Sequence, residues 1–137
     1  MLTIDPRDLE LADAWQEGDE RARWRSAAAT TPMAGAAASG SSVLEIDPGR
    51  RLPRHTDSVE ETIVVLSGAA EVLIGEESAR VPAGGLAVVP AEVPHEVRNL
   101  GREPLRFVAL YAGTDVVTRY AEPVQPDGAR ERSPLSC

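Results

Sequence analysis

The chain contains only two histidines, and the first lies beside residues that could bind a metal ion with it. His55 is followed by Asp57 and Glu61, and the three positions share one parity. Successive side chains of an extended strand alternate between its faces, so these three side chains can point the same way. Imidazole suits Zn, Cu, Fe or Ni, and carboxylates compensate the charge of a divalent ion. The stretch therefore predicts one half of a metal site.

The second histidine, His95, shares its parity with Val97 and Asn99. If the fold brings the strand of His95 face to face with the strand of His55, every histidine of the chain joins one ligand set. Glu60 is adjacent to Glu61 but has the opposite parity, so we expect its side chain in solvent.

The composition excludes several classes of protein. All 14 basic residues are arginines, and without lysine the chain cannot form a Schiff base, attach pyridoxal phosphate or build a P-loop. The net charge of −8 argues against a nucleic-acid or anionic-membrane surface. The single cysteine, Cys137, is the last residue, so no intrachain disulfide or Cys-rich zinc site can form, and we expect an incidental free thiol.

The chain also lacks the usual signals for export or membrane insertion. No secretory pattern opens it, and no apolar run approaches the ~20 residues of a membrane span. We therefore expect a cytoplasmic location, and the length of 137 residues predicts one domain.

Short strand patterns and turn signals fill most of the chain. Residues 21–26 alternate arginines with smaller or apolar residues, which predicts a strand with a solvated arginine face. Further strands are predicted at 42–46, 62–66, 71–74, 79–85, 86–89, 95–99 and 105–111. This spacing predicts an all-β sandwich or barrel.

The two ends of the chain look different from this central part. Asp5 and Pro6 are typical of a helix start and predict a short helix within residues 1–17. Residues 122–137 are rich in proline and charge, which predicts an arm or a disordered tail. We assign a lead-in to residues 1–20, the barrel to 21–113 and a C-terminal arm or tail to 114–137.

The first histidine stretch resembles the first motif of the cupin family, whose members are small double-stranded β-helix (jelly-roll) barrels. That motif reads G-x5-H-x-H-x3,4-E-x6-G. This chain matches it at Gly49, His55, Glu61 and Gly68, with Asp57 in place of the second histidine.

The second histidine stretch resembles the family's second motif, G-x5-P-x-G-x2-H-x3-N. The chain matches it at Gly84, Pro90, His95 and Asn99, whereas Glu92 replaces a glycine and predicts a relaxed loop. Eight of the ten marked positions match, and the resemblance covers roughly residues 43–111. It implies an all-β, double-stranded β-helix (jelly-roll) barrel.

The resemblance also implies a metal centre. The family's ligand positions correspond to His55, Glu61 and His95. Four roles are open for Asp57. It binds the metal as a fourth ligand, binds the metal through a water molecule, acts as a base, or only orients His55. Without Asp57 the set equals the two-histidine, one-carboxylate arrangement of non-haem Fe(II) oxygenases. Fe2+ or Mn2+ is favoured, with Ni2+, Co2+ and Zn2+ as alternatives, and the catalytic roles fall on Asp57 and Glu61.

The rest of the barrel interior is expected to form a substrate pocket. Parity with the ligands and apolar alternation predict its lining as Ile63, Val65, Val97, Asn99, Phe107 and Tyr111. A largely apolar pocket anchored by a metal suits a small organic acid or aromatic molecule. Trp24 is interpreted as a core residue or as a cap over the ligand.

Cupins act as dioxygenases, isomerases, decarboxylases and lyases, so the resemblance implies a small metal-dependent enzyme with a small-molecule substrate. The alternative is a non-catalytic small-molecule-binding cupin, used as a sensor or accessory module. Single-domain cupins commonly pair, which implies a homodimer formed through residues 1–17 and the segment after Gly113. No nucleic-acid or membrane partner is expected.

Overall fold

The computed structural model describes residues 1–136, which form twelve β-strands after one 3-10 turn, Pro6–Asp8. The strands are β1 (Ala12–Gln16), β2 (Asp19–Ala28), β3 (Gly40–Ile46), β4 (Arg51–Asp57), β5 (Glu61–Ser67), β6 (Ala69–Ile74), β7 (Glu77–Pro82), β8 (Leu86–Val89), β9 (His95–Arg98), β10 (Leu105–Tyr111), β11 (Thr118–Val124) and β12 (Ala129–Arg132). Within this range no helix is long and apolar enough to cross a membrane. The predicted all-β class is confirmed.

The strands form one curled sheet in the order β7–β6–β9–β4–β2–β3–β10–β5–β8. β1 is added beside β2, and β11 pairs with both β12 and β4. Strands distant in sequence thus become neighbours, as β4 and β9 do, and the sheet curls into the predicted jelly-roll barrel.

The barrel interior is filled by apolar side chains that alternate along the strands. β5 buries Ile63 and Val65, and β10 buries Phe107, Ala109 and Tyr111. Because side chains alternate between the faces of a strand, one face of each segment is committed to the core. This alternation made these strands predictable from the sequence.

The register of the strands brings the predicted ligands together. His55 on β4 lies opposite His95 on β9. Glu61 begins β5, directly after the turn that follows β4. On the other side of β4, Asp57 lies opposite Thr118 of β11.

The predicted short helix of the N-terminal segment is confined to one 3-10 turn, Pro6–Asp8, and a strand follows it. Asp5 does cap the turn, because its Oδ1 accepts a hydrogen bond from the Arg7 amide at 2.9 Å. From Ala12, however, the chain pairs antiparallel with β2, and Trp15 lies opposite Arg23. The ladder with β2 satisfies the backbone groups and outweighs a weak local helix preference. The helix prediction is wrong for this strand.

The C-terminal segment also differs from the expected arm or disordered tail. It contains β11 and β12, so strands on both sides of the predicted boundary at 113/114 join one sheet. Leu135 then packs over Gly40, where an added Cβ would collide with the leucine side chain. The strands were hard to see in the sequence because residues such as Glu122 and Glu131 face solvent. Cys137 lies outside the described residues.

Candidate metal centre

Four buried side chains meet inside the barrel. They are His55 and Asp57 of β4, Glu61 of β5 and His95 of β9. One ligand atom from each lies within 4.8 Å of all the others, and each residue is 6% exposed or less. The structure thus brings together the four residues that the sequence assigned to a metal site.

Both histidines are held in the orientation that a metal ligand needs. His55 Nδ1 lies 2.7 Å from the Pro53 carbonyl oxygen, and His95 Nδ1 lies 2.9 Å from the Val93 carbonyl oxygen. A carbonyl oxygen only accepts, so each Nδ1 must carry the hydrogen and donate it. Each Nε2 then faces the cluster, and a backbone carbonyl behind the ring is the usual support of a metal-bound histidine.

One contact of the cluster requires either a proton or a metal ion. His95 Nε2 lies 3.1 Å from Glu61 Oε1, at hydrogen-bond distance. With the hydrogen of His95 Nδ1 already donated to Val93, Nε2 and Oε1 are two acceptors that need a cation between them. Without a metal ion this is a further proton, carried either by an imidazolium or by a carboxylic acid. A divalent cation held by these two atoms would replace that proton.

Asp57 has one oxygen that accepts a hydrogen bond and one that accepts none, although it lies close to two imidazoles. Its Oδ1 accepts a hydrogen bond from the Thr118 hydroxyl at 2.6 Å. Among the described residues, its Oδ2 is the one buried side-chain nitrogen or oxygen atom without a hydrogen-bond partner. Oδ2 lies 3.2 Å from His95 Nε2 and 3.8 Å from His55 Nε2. An unpaired carboxylate oxygen inside a protein is costly, and a metal ion at the centre of the cluster would satisfy it.

Burial and charge oppose each other in the cluster. Burial raises the pKa of Glu61 to about 7, and His95 partly offsets this rise. Burial would lower the pKa of His95, but the Asp57 and Glu61 carboxylates outweigh it and raise the pKa to about 10. Burial also lowers the pKa of His55 to about 4. For Asp57, burial would raise the pKa, but the two imidazoles hold it at about 2.

A cavity of about 460 Å³ opens onto the cluster. His55, Asp57 and Glu61 line its inner part. Its walls combine apolar side chains, hydroxyl groups and one guanidinium, and include Trp24, Ser26, Leu44, Ser42, Leu52, Tyr111, Thr118, Tyr120 and Arg132. Residues of the two ends of the chain, among them Leu9, Glu10, Ser133 and Ser136, complete the lining. The cavity is therefore closed partly by segments outside the two motifs.

Aromatic rings form one wall of this cavity. The rings of Trp24 and Tyr120 stack with centroids 5.7 Å apart, and the Tyr120 ring lies 5.1 Å from that of His55. Burial raises the pKa of Tyr120 and Asp57 adds to this rise, whereas the charge of Arg132 opposes it. The guanidinium of Arg132 is thus within electrostatic reach of the Tyr120 hydroxyl.

Most of the other sequence-predicted pocket residues lie away from the cavity. Of the six, Tyr111 is on the cavity wall. The residues that pack instead in the hydrophobic core are Ile63, Val65, Val97 and Phe107. Parity identifies which side chains point inward, but it does not tell at which level of the barrel they lie.

Asn99 has a structural role in the turn that follows β9. Its amide nitrogen donates to the carbonyl oxygens of Ile46 at 2.9 Å and Glu103 at 2.8 Å. Its Oδ1 accepts a hydrogen bond from the Gly101 amide at 3.0 Å. These contacts account for the buried side chain, and none of them reaches His95.

Most of the cavity lining was not anticipated from the sequence, including Thr118, Tyr120 and Arg132. Thr118 and Tyr120 are two positions apart, so their side chains point to the same face of a strand. This shared parity was the signal available in the sequence. It was obscured because the segment after Gly113 has little apolar periodicity.

Comparisons with known proteins agree with this fold. The family model for the Cupin domain matches residues 42–111, just over half of the chain. The chain therefore belongs to the cupin family.

One curated relative is auxin-binding protein 4 of Zea mays, which is 30% identical over 108 residues. The alignment covers 69% of this chain and 53% of the relative, so the chain spans about half the length of the curated relative that it matches.

Solved structures with the same architecture include enzymes. A putative sugar phosphate isomerase from Acidithiobacillus ferrooxidans is 20% identical, with a TM-score of 0.66 over 88% of this chain and 80% of that chain. Bacillus subtilis oxalate decarboxylase, which has Mn(II) centres, is 20% identical, with a TM-score of 0.64 over 78% of this chain and 30% of that chain. At these identities the likeness shows the shared fold alone.

Proposed function

We propose that this cupin is a small enzyme that uses one divalent metal ion to act on a small organic acid or aromatic substrate. His55, Asp57, Glu61 and His95 would hold the ion. The observation that carries the proposal is the unpartnered Oδ2 of buried Asp57, which faces two Nε2 atoms whose rings are fixed by backbone carbonyls.

The donor set favours Fe2+ or Mn2+. Two carboxylates and two neutral imidazoles mix hard oxygen donors, which suit Mn, with nitrogen donors, which suit Fe, Ni, Co and Zn. The two carboxylates would neutralise the two charges of the ion. The Mn(II) centres of the similar Bacillus subtilis oxalate decarboxylase also support Mn.

The bound ion would polarise a substrate oxygen and stabilise negative charge that develops on it. The chain's own side chains would orient the ligands and keep water out of the site. The Thr118 hydroxyl orients Asp57, and the Trp24 and Tyr120 rings exclude water from one wall of the cavity. Glu61 would bind the ion through Oε1 after losing the proton that this oxygen shares with His95 Nε2. The proposed reaction class is oxygenase-type or isomerase, decarboxylase or lyase chemistry.

A non-catalytic binding protein is the second candidate. It is supported by the aromatic wall of the cavity and by the similarity to auxin-binding protein 4 of Zea mays, whose name records a binding role. An enzyme would turn over a substrate at the centre, whereas a binding protein would show saturable binding without turnover.

The metal content of untagged protein, measured by plasma mass spectrometry, tests the proposal. We expect about one equivalent of Fe or Mn per chain, lost in His55→Ala and strongly reduced in Asp57→Asn. Asp47→Asn is the matched control, since Asp47 pairs with Arg25 outside the cluster and the variant should keep its metal. A wild-type protein that stays empty after reconstitution with Fe2+ and Mn2+ would refute the metal function.

We also propose that the chain forms a homodimer, through β8 and β10 and not through the two end segments that the resemblance implied, because β1 and β11 already pair within the chain's own sheet. β8 lies at one end of the strand order and carries Leu86 and Val88, which are 64% and 56% exposed. On β10, Leu110 is 44% exposed. Burying these side chains against a second copy would remove apolar surface from water. Light scattering should give the mass of two chains, and Val88→Glu should give one; a monomeric wild type would contradict the proposal.

A further inference from the structure

One basic side chain lines the cavity, at a fixed place relative to the candidate metal centre. In the register of the sheet, Asp57 on β4 lies opposite Thr118 on β11, and Thr118 lies opposite Arg132 on β12. Side chains directly opposite in an antiparallel pair share a face, and all three residues line the cavity. Neighbouring strands are about 4.8 Å apart, so the backbone positions of Asp57 and Arg132 are separated by about 10 Å.

Arg132 is not fully engaged by another residue. Its guanidinium lies 3.7 Å from Asp127, whose side chain is 56% exposed. Such an ion pair at the surface is worth little and is readily exchanged. Arg132 itself is only 31% exposed at its side chain, so an anion in the cavity would meet a partly desolvated guanidinium.

The net charge of the other groups around the cavity decides how strongly the Arg132 guanidinium influences which ligands bind. Two carboxylates and two neutral imidazoles around a divalent ion have no net charge. Among the described residues that line the cavity, Arg132 is the one basic side chain. Glu10, the remaining acidic residue of the lining, is exposed to solvent. The charge preference of the cavity therefore depends mainly on Arg132.

We propose that Arg132 binds the anionic group of the substrate and so selects small aromatic carboxylates. The carboxylate would accept paired hydrogen bonds from the guanidinium, whose planar fork fits that group. The aromatic body would lie along the Trp24 and Tyr120 rings, and an oxygen at its far end would face the ligand cluster. This last contact rests on the proposed metal function, whereas the contact with Arg132 does not.

The same hairpin provides a contrasting arginine. Arg119 is one position from Thr118, so its side chain points to the other face of β11. It donates to Glu131 at 3.0 Å, is 49% exposed and is not among the cavity-lining residues. Replacing Arg119 removes the same charge from the same hairpin without altering the cavity.

A pair of probes that differ only in charge tests the proposal. The affinities of 4-hydroxybenzoate and 4-hydroxybenzamide are measured by calorimetry on Mn(II)-loaded and on metal-free protein. We expect wild type to prefer the acid by about tenfold or more. Arg132→Gln should reduce this preference to about twofold or less, and Arg132→Lys should retain part of it. Arg119→Gln should keep the wild-type preference, and circular dichroism melts confirm that each variant is folded.

Three results would overturn the role of Arg132. The first is equal binding of acid and amide by wild type, and the second is no binding of either below about 10 mM. The third is an acid preference that survives unchanged in Arg132→Gln. The metal function fails separately: if the protein takes up no Mn(II) but metal-free wild type still prefers the acid through Arg132, the anion site stands and the metal centre does not.

Discussion

Metal binding to this centre should depend steeply on pH, because metal and protons compete for the same atoms. In the metal-free cluster a proton lies between His95 Nε2 and Glu61 Oε1. The pKa of His95 is raised to about 10, so this proton is retained at neutral pH. Glu61, with a pKa of about 7, takes up a further proton as the pH falls. Both atoms must be deprotonated to bind a metal ion, so affinity should rise with pH.

The size of the effect follows from the number of displaced protons. Displacing one proton changes affinity about tenfold per pH unit, which gives about 100-fold between pH 6 and pH 8. The second proton, on Glu61 below its pKa of about 7, adds up to about another tenfold. We therefore expect Mn(II) to bind on the order of 100-fold to 1,000-fold more tightly at pH 8 than at pH 6, and to release at least about one proton per ion at pH 7.

The assay follows free Mn(II) by its electron paramagnetic resonance signal during titration at several pH values, with proton release measured in weak buffer. Glu61→Gln should flatten the pH dependence, since it removes one of the carboxylates that raise the pKa of His95. Glu45→Gln is the control, because Glu45 pairs with Arg25 and Arg106 outside the cluster. A dissociation constant that does not change from pH 6 to pH 8, with no proton release, would refute this reasoning.

Three further substitutions test the surroundings of the centre. Thr118→Val removes the hydrogen bond that orients Asp57 and should weaken Mn(II) binding about 10-fold to 100-fold, measured by the same titration. Asn99→Ala removes one buried and two partly buried hydrogen bonds and should lower the free energy of unfolding in urea by about 2–3 kcal/mol while leaving the metal affinity unchanged. Glu92→Gly should raise the free energy of unfolding by up to about 1 kcal/mol, because Glu92 has a φ of 64° that a side chain disfavours; an unchanged or lower value would contradict this.

The two motifs predicted the centre well because their spacing encodes strand geometry. His55 and Asp57 lie two apart on one strand, so they share its inner face. His95 joins these residues because β4 pairs with β9. The family resemblance implied this pairing, whereas the local sequence pattern could not predict it. The left-handed conformation at Glu92 shows that the loop keeps the turn of the glycine pattern, where a relaxed loop was expected.

The cavity was less predictable because its walls come from segments without a motif. Thr118 and Arg132 reach it only through the pairing of β11 with β4 and β12, a long-range arrangement that local periodicity does not encode. Ile63 and Phe107 have the inward parity that was expected, yet they pack in the core. Their level along the barrel depends on how far each strand is shifted against its neighbours.

Pulsed electron paramagnetic resonance of untagged, Mn(II)-loaded protein tests the central claim most directly, since the chain has only two histidines. The proposed centre predicts nitrogen couplings from two imidazoles on one ion, and His55→Ala, which should lose the metal, should lose this signal. A Mn(II) signal without imidazole coupling would show that the ion binds elsewhere and would contradict the assignment of this site.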